Sequence, residues 1–215
     1  QSDYSLYQLA LIAGINNQPE KIRTFNKLVE QYPNSELVPE SYLQIASAYM
    51  AQEKFRDAVP YLEKILANPN ATAFYPTTYL KLGLAYYNVS NNNKALENYQ
   101  ALVNKFPQSD EADEALANMK SIYVELGRPN DYLEFARKTG KNLSVSEADS
   151  LTYAAAQHKL NENDCNAAIL ALNDYLSKYP DVTYSPQATF YRSECYYRNS
   201  NWQNPIKGYA DVVAK

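Results

Sequence analysis

The sequence has 215 residues, of which 46% are hydrophobic and 20% charged, and its formal net charge is −4. This balance of apolar and charged residues is typical of a folded protein and excludes an intrinsically disordered chain. The acidic charge and the lack of clustered Lys and Arg exclude a surface that neutralises a nucleic-acid backbone. No run approaches the ~18 to 20 apolar residues of a membrane-spanning helix. Five glycines against 21 tyrosines favour a helical protein in which tyrosine fills the interfaces between helices.

The first predicted helix pair covers residues 2–36. Its first helix carries two overlapping apolar stripes, so the register of that helix is ambiguous. Pro19 opens the second helix in its first turn, where the missing N–H group does no harm, and Pro33 ends it. Because the sequence opens at Gln1 without a methionine, we expect a piece of a longer protein or a trimmed mature chain.

The second predicted pair contains an apolar stripe that recurs later in the chain. Its members are Tyr42, Ile45, Ala46 and Tyr49, at the spacing i, i+3, i+4 and i+7 of one helix face. Pro60 lies four positions into the second helix of this pair, so we expect it either in the first helical turn or at a kink.

The third pair, residues 78–107, is the clearest. Its first helix repeats the stripe thirty-seven residues further on, with Gly83 in the middle. A glycine inside a helix costs roughly 1 kcal/mol relative to alanine, so we predict that another helix crosses at Gly83 too closely for a side chain. The polar run from Ser90 to Asn93 is expected to end this helix and to cap the next one. Pro107 ends the second helix.

The later pairs keep nearly the same spacing. The fourth is displaced by thirty-seven residues and the fifth by a further thirty-six. The predicted buried stripe of the fourth pair is Leu116, Met119, Lys120 and Tyr123. Gly140 ends the second helix of that pair early, and we favour a continuous array with a bend or local distortion at 139–147 over two independent domains. In the sixth pair, Pro205 stands where earlier pairs have a small alanine.

The third pair resembles the tetratricopeptide repeat. The positions that carry the resemblance are Tyr79, Leu82, Gly83, Tyr86, Ala95, Tyr99, Leu102 and Pro107. The resemblance extends over nearly the whole chain and implies helix-turn-helix modules that stack on one another. We therefore expect an all-α fold, a right-handed α-α superhelix (solenoid) of about six such units. Their predicted bounds are 2–36, 39–75, 76–112, 113–147, 149–185 and 186–215.

The resemblance also implies where a partner would bind. Tetratricopeptide modules usually bind proteins or peptides on the concave side of the superhelix, which is lined by first-helix residues outside the packed stripe. The corresponding residues here are Leu43, Ser47, Met50, Leu80, Leu84, Tyr87, Ala117, Ser121, Val124, Tyr153, Gln157, Phe190, Glu194 and Tyr197. Most are apolar or aromatic, unlike the Lys and Asn of repeats that grip a peptide carboxylate. They are interpreted either as a groove for an extended segment or partner helix, or as side chains covered by neighbouring units.

No catalytic or metal-binding motif stands out. His158 is the only histidine; without neighbouring Cys or His it cannot provide the about four ligands of a structural zinc site, and we expect a partly exposed helix residue. Glycine-rich phosphate loops and hydrolase signatures are missing from the sequence. We therefore expect no enzyme activity, no metal and no cofactor. In the repeat geometry that the resemblance implies, Cys165 and Cys195 could approach each other, either as a disulfide or as two reduced, half-buried thiols.

These observations predict a non-catalytic scaffold or adaptor for a protein or peptide partner, not for nucleic acid. The Tyr- and Asn-rich units also resemble tetratricopeptide proteins of the bacterial cell envelope, which favours a periplasmic or envelope-associated location and leaves a cytoplasmic one open. Two other functions stay open: the recruiting module of a larger enzyme or regulator, and a receptor for a small ligand. The sequence does not predict the oligomeric state.

Overall fold

The chain is all-α, as predicted. The computed structural model describes residues 2–141, 143–200 and 203–213, and within these ranges it contains twelve α-helices, one 3-10 helix at Thr72–Phe74 and no strand. The α-helices are α1 (Asp3–Ala13), α2 (Gln18–Gln31), α3 (Val38–Met50), α4 (Phe55–Leu66), α5 (Tyr75–Asn88), α6 (Asn92–Lys105), α7 (Asp110–Glu125), α8 (Pro129–Lys138), α9 (Val145–Asn161), α10 (Cys165–Lys178), α11 (Ser185–Arg198) and α12 (Gln203–Val213). They form six consecutive pairs, and the odd-numbered helix of each pair is called its first helix below.

The helices group into two compact units. Unit 1 comprises Gln1–Ala117 and unit 2 comprises Asn118–Lys215, so α7 contributes residues to both. In unit 1 each helix from α1 to α5 packs against the next, and in unit 2 the same holds from α8 to α11. The distortion expected at 139–147 falls between α8 and α9, and it stays a prediction.

Most residues of the predicted apolar stripes lie in the core of each unit. In unit 1 the side chains of Phe25, Leu28, Ile45, Leu62 and Ile65 are fully buried. In unit 2 a cluster of Tyr153, Ala156, Leu172, Tyr175 and Ala188 is buried. Lys120 does not: it is exposed although Leu116, Met119 and Tyr123 of the same predicted stripe are buried. Placing Lys120 in the stripe was wrong, because taking an unpaired ammonium group out of water is too costly.

Five turns share a left-handed residue that links the two helices of a pair. The residues are Glu53, Ser90, Gly127, Asn163 and Ser200, with φ between 59° and 67°. They follow one another at thirty-seven, thirty-seven, thirty-six and thirty-seven residues, the register predicted from the apolar stripes. In the third pair the N–H of Asn91, which follows Ser90, donates to the carbonyl of Tyr86 at 2.9 Å. This 6→1 bond is the Schellman ending of a helix, which favours glycine at the left-handed position, yet glycine is present in only one of the five turns.

Ser90→Gly should therefore stabilise the protein. A left-handed backbone costs a residue with a Cβ roughly 1–2 kcal/mol, whereas the extra chain entropy of glycine costs roughly 0.5–1 kcal/mol. We expect the free energy of unfolding in urea to rise by up to about 1 kcal/mol. Ser121→Gly is the matched control, because Ser121 lies exposed inside α7 and glycine should lower stability there. Equal losses in the two variants would contradict the assigned turn.

Gly83 lies against a ring of the paired helix, as predicted. A Cβ at this position would lie closer than 3.0 Å to the ring of Tyr99 on α6, and Tyr99 is only 1% exposed. The equivalent positions of the second pair hold Ala46 and Leu62, both buried in one cluster. A larger residue on one helix is thus matched by a smaller one on its partner, which keeps the packing dense.

Capping residues and prolines define several helix ends. Asn91 accepts a hydrogen bond from the backbone N–H of Lys94 at 3.2 Å, so the predicted cap of α6 is confirmed. Ser144 and Glu147 form a reciprocal capping box at the start of α9.

Pro60 lies beyond the first turn of α4 but on its exposed side, where the carbonyl that loses its partner can bond to water. Pro205 lies in the first turn of α12, where proline is tolerated.

Cys165 and Cys195 form a disulfide, with their Cα atoms 5.0 Å apart. Cys165 is the first residue of α10 and Cys195 lies near the end of α11, where it is 1% exposed. The bond joins the second helix of one pair to the first helix of the next. This settles the choice that the sequence left open between a disulfide and two thiols.

Candidate partner-binding surface

The first helices of neighbouring pairs are joined by direct polar contacts, and this positions their outward faces. In unit 1 the Tyr7 hydroxyl on α1 donates to Glu40 on α3 at 2.5 Å, and burial together with this contact raises the pKa of Tyr7. In unit 2 the Lys159 ammonium on α9 donates to the Glu125 carbonyl of α7 at 3.4 Å. The first helices α1 and α3 are therefore in contact in unit 1, and α7 and α9 are in contact in unit 2.

Most of the side chains predicted for the binding face of unit 1 are half-buried in the protein. Leu43 and Met50 on α3 are half-buried because they pack on the cluster around Leu62. Ser47 on α3, and Leu80 and Tyr87 on α5, are also half-buried. Leu84 is the most open of the six, with 39% of its surface exposed. Leu84 is therefore the most accessible large apolar side chain of the face predicted on unit 1.

The face predicted on unit 2 contains a cavity between α7 and α9. Its volume is about 480 Å³, and its lining combines small, apolar and charged side chains. The lining residues are Lys120, Ser121, Val124, Glu125, Ser150, Leu151, Ala154 and His158. Ser121 and Val124 were predicted for this face, whereas Lys120 and His158 were not. Lys120 was predicted to lie in the core because of its spacing within the repeat. Its charge is the feature of the sequence that could have predicted an exposed position instead.

His158 is partly exposed, as the sequence predicts. Its side chain is 33% exposed, and Nδ1 lies 3.7 Å from a carboxylate oxygen of Glu162 one turn further along α9. The Lys159 ammonium is closer to that carboxylate, at 2.7 Å. The hydrogen bond from Lys159 is the main reason that the pKa of Glu162 is lowered. Among the residues that the structure describes, no three His, Cys, Asp or Glu side chains cluster as metal ligands.

Tyr153 is the predicted site residue that the structure places in the core. It is 7% exposed, and its ring stacks on Tyr184, with centroids 4.7 Å apart and planes 4° apart. Tyr184 belongs to the loop before α11, and helix periodicity could not predict that this loop residue would cover Tyr153. Gln157, one turn along α9, is exposed.

The first helix of the sixth pair presents the most open aromatic face of unit 2. Phe190 is 40% exposed and Tyr197 51% exposed, and Glu194 lies between them on the same face of α11. Tyr209 on α12 donates a hydrogen bond from its hydroxyl to a Glu194 carboxylate oxygen. This bond is the main cause that raises the pKa of Tyr209 to about 12. We define the α11 face as Phe190, Glu194 and Tyr197. It combines two accessible rings with a carboxylate that is positioned by the Tyr209 hydroxyl.

Within the described ranges, no helix is both long enough and apolar enough to cross a membrane.

Comparison with known proteins identifies the repeat. A family model described as tetratricopeptide repeat matches residues 4–35 and 77–109, and a second model of the same description matches residues 39–68. No curated protein sequence matches the chain. Tetratricopeptide repeats are generally non-catalytic scaffolds that bind proteins or peptides.

Several solved structures share the fold at low sequence identity. A tetratricopeptide repeat protein from Parabacteroides merdae is 14% identical, with a TM-score of 0.55 over 99% of this chain and 79% of its own. The C-terminal part of a repeat protein from Cytophaga hutchinsonii is 17% identical, with a TM-score of 0.51 over 97% and 78%. The apo form of the quorum sensor NprR from B. thuringiensis is 14% identical, with a TM-score of 0.54 over 100% and 65%. The chain therefore contains tetratricopeptide repeats at residues 4–35, 39–68 and 77–109 and has the fold of tetratricopeptide repeat proteins.

Proposed function

We propose that this protein is a non-catalytic scaffold that binds a protein or peptide partner through the first-helix faces of its repeats. One observation carries the proposal. Leu84, Phe190 and Tyr197 are large apolar residues with 39%, 40% and 51% of their surface exposed, and all three lie on first helices. Exposed apolar side chains on one face are typical of surfaces that associate with another molecule.

We further propose that the protein works in an oxidising compartment, such as the bacterial periplasm. The Cys165–Cys195 disulfide supports this location. Disulfides persist in secreted and periplasmic proteins, whereas reducing systems keep most cytosolic thiols free. A role in cell-envelope assembly is consistent with a scaffold in that compartment.

Site-specific photo-crosslinking tests the binding face. The photoreactive residue p-benzoylphenylalanine would replace Leu84 on α5 or Tyr197 on α11 in the full-length protein in its own cells. Matched control positions are Glu97 on α6 and Ser177 on α10, which are exposed polar second-helix residues of the same two units. We expect a discrete cross-linked partner from the two first-helix positions and none from the controls. Cross-links that form equally from all four positions, or only from the controls, would refute the proposal.

A further inference from the structure

A cavity in unit 1 lies between two of the connections that join one helix pair to the next. Its volume is about 650 Å³, which is within the roughly 300–1,000 Å³ of small-molecule sites. One connection comprises residues 32–37, and the other comprises residues 67–74 and contains the 3-10 helix. Among the described residues, none that was predicted for the first-helix faces lines this cavity. It is therefore a site separate from the proposed partner-binding surface.

Hydrogen bonds within the chain hold both walls of this cavity in place. On one wall the Ser35 hydroxyl donates to the Asp3 carboxylate at 2.6 Å. On the other wall the Tyr75 hydroxyl donates to the Asn68 carbonyl at 3.0 Å, and the Asn68 side-chain oxygen accepts from the N–H of Asn70 at 3.0 Å. Because the walls are already ordered, a ligand would not need to order them, which lowers the entropic cost of binding.

The cavity presents polar side chains that the protein itself does not use. Asn34, Glu36 and Asn70 line it and are exposed. Their side chains make no hydrogen bond or ion pair with another described residue. Each Asn amide offers two donors and an acceptor, and the carboxylate offers two acceptor oxygens. The cavity can therefore both donate hydrogen bonds to a ligand and accept them from it.

The same cavity has an apolar wall. Phe74 and Pro33 line it together with the buried residues Val38 and Pro39. Phe74 is half-buried and packs against the core cluster that contains Leu62, so the position of its ring is fixed. A ligand thus meets an apolar surface next to the amide groups.

This combination selects the chemical class of the ligand. Among the described residues that line the cavity there is no Lys, Arg or His, so an anion would find no cation and would be repelled by Glu36. A wholly apolar ligand would take water from the amides without replacing its hydrogen bonds, which is costly. A sugar ring fits both walls, because its hydroxyl groups donate and accept hydrogen bonds while its C–H faces are apolar.

We propose that this cavity binds a short, neutral oligosaccharide. One sugar ring lies with its C–H face against Phe74 and Pro33, and its hydroxyl groups bond to the Asn34 and Asn70 amides and to the Glu36 carboxylate. This inference goes beyond the proposed scaffold function, because it gives the protein a second ligand at a different place on unit 1. The test below is independent of whether the first-helix faces bind a partner.

Fluorine NMR on the full chain tests the proposal with defined probes. 4-Fluorophenylalanine at position 74 reports on the cavity, and the same label at position 106, which does not line it, is the control. The neutral probes are maltotriose, cellotriose and N,N′,N″-triacetylchitotriose; sorbitol and trigalacturonic acid are the acyclic and anionic controls. We expect a saturable shift at position 74 with at least one neutral trisaccharide and none at position 106. Sorbitol and trigalacturonic acid should leave position 74 unchanged.

Asn34→Ala/Asn70→Ala should weaken the binding of that trisaccharide at least about ten-fold, because two hydrogen-bonding groups are lost. The melting temperature should stay within a few degrees, since neither amide bonds to the rest of the chain; if the double variant did not fold, Asn70→Ala alone would serve. Asn104→Ala, which removes an exposed amide from α6 of the same unit, should leave the affinity unchanged.

Three results would overturn the proposal. The first is the lack of a shift at position 74 with all three neutral trisaccharides. The second is a shift of equal size with trigalacturonic acid or sorbitol. The third is an affinity that the Asn variants do not change, which would place the sugar outside this cavity.

Discussion

Gly83→Leu should remove about 3 kcal/mol or more from the stability of unit 1. The leucine side chain would occupy the space of the Tyr99 ring, which is 1% exposed and has no room to move outward. Forcing extra carbon atoms into a well-packed core costs typically 1–3 kcal/mol, and more where the neighbour cannot shift. Urea unfolding followed by circular dichroism would measure the loss. If the helicity and melting temperature were unchanged, the proposed register of the repeat would be wrong.

Gly83→Ala is a sharper test, because the sign of its effect on stability distinguishes a packed site from an open one. At an open helical site, alanine would stabilise the protein by about 1 kcal/mol relative to glycine. At this site we expect a net loss, because even a Cβ contacts the Tyr99 ring. The double variant Gly83→Ala/Tyr99→Leu recreates the Ala46–Leu62 combination of the second pair and should recover much of that loss. A double-mutant cycle should give a coupling energy of about 1–3 kcal/mol, whereas additive effects would contradict a direct contact.

Breaking the Cys165–Cys195 disulfide should lower the stability of unit 2 by about 3–4 kcal/mol. The two cysteines are 30 residues apart in sequence, and closing a loop of that length raises the free energy of the unfolded state by roughly this much because it removes chain entropy. The Cys165→Ala/Cys195→Ala variant and the reduced wild-type protein should show the same loss. Hydrogen exchange would show whether the loss is confined to α9–α12, as expected.

The control for this prediction is a reducing agent added to the double alanine variant, which should have no further effect. Unit 1 contains no cysteine, so its own exchange rates should not respond to reduction. A wild-type melting temperature that is the same with and without dithiothreitol would show that the bond does not stabilise the fold, and it would also remove the main support for an oxidising compartment.

The sequence predicted the repeat because the repeat is a local pattern. The stripe around Gly83, the cap at Asn91 and the register of the later pairs depend only on spacing along single helices. The left-handed conformations of Glu53 and Ser200 were not predicted, because neither position has the glycine that normally marks such a turn. The disulfide could not be predicted because it depends on a distance between two pairs, and spacing within each pair does not fix that distance.

The sequence predicted which residues share a helix face on the candidate surface, but it did not predict how exposed each residue is. Helical periodicity is enough to predict one shared face for Phe190, Glu194 and Tyr197. Tyr153 has the same periodic signal, yet it is buried because Tyr184 from a loop covers it. Exposure depends on what the neighbouring elements contribute, and a single helix pattern contains no information about those neighbours.

Amide hydrogen exchange of the full-length protein, alone and with the partner that cross-linking identifies, tests most directly whether first-helix faces bind that partner. Slower exchange in the complex should be confined to first helices, with the largest effects on α5 in unit 1 and on α11 in unit 2. Protection confined to the second helices α4, α6 or α10 would contradict the proposed binding faces.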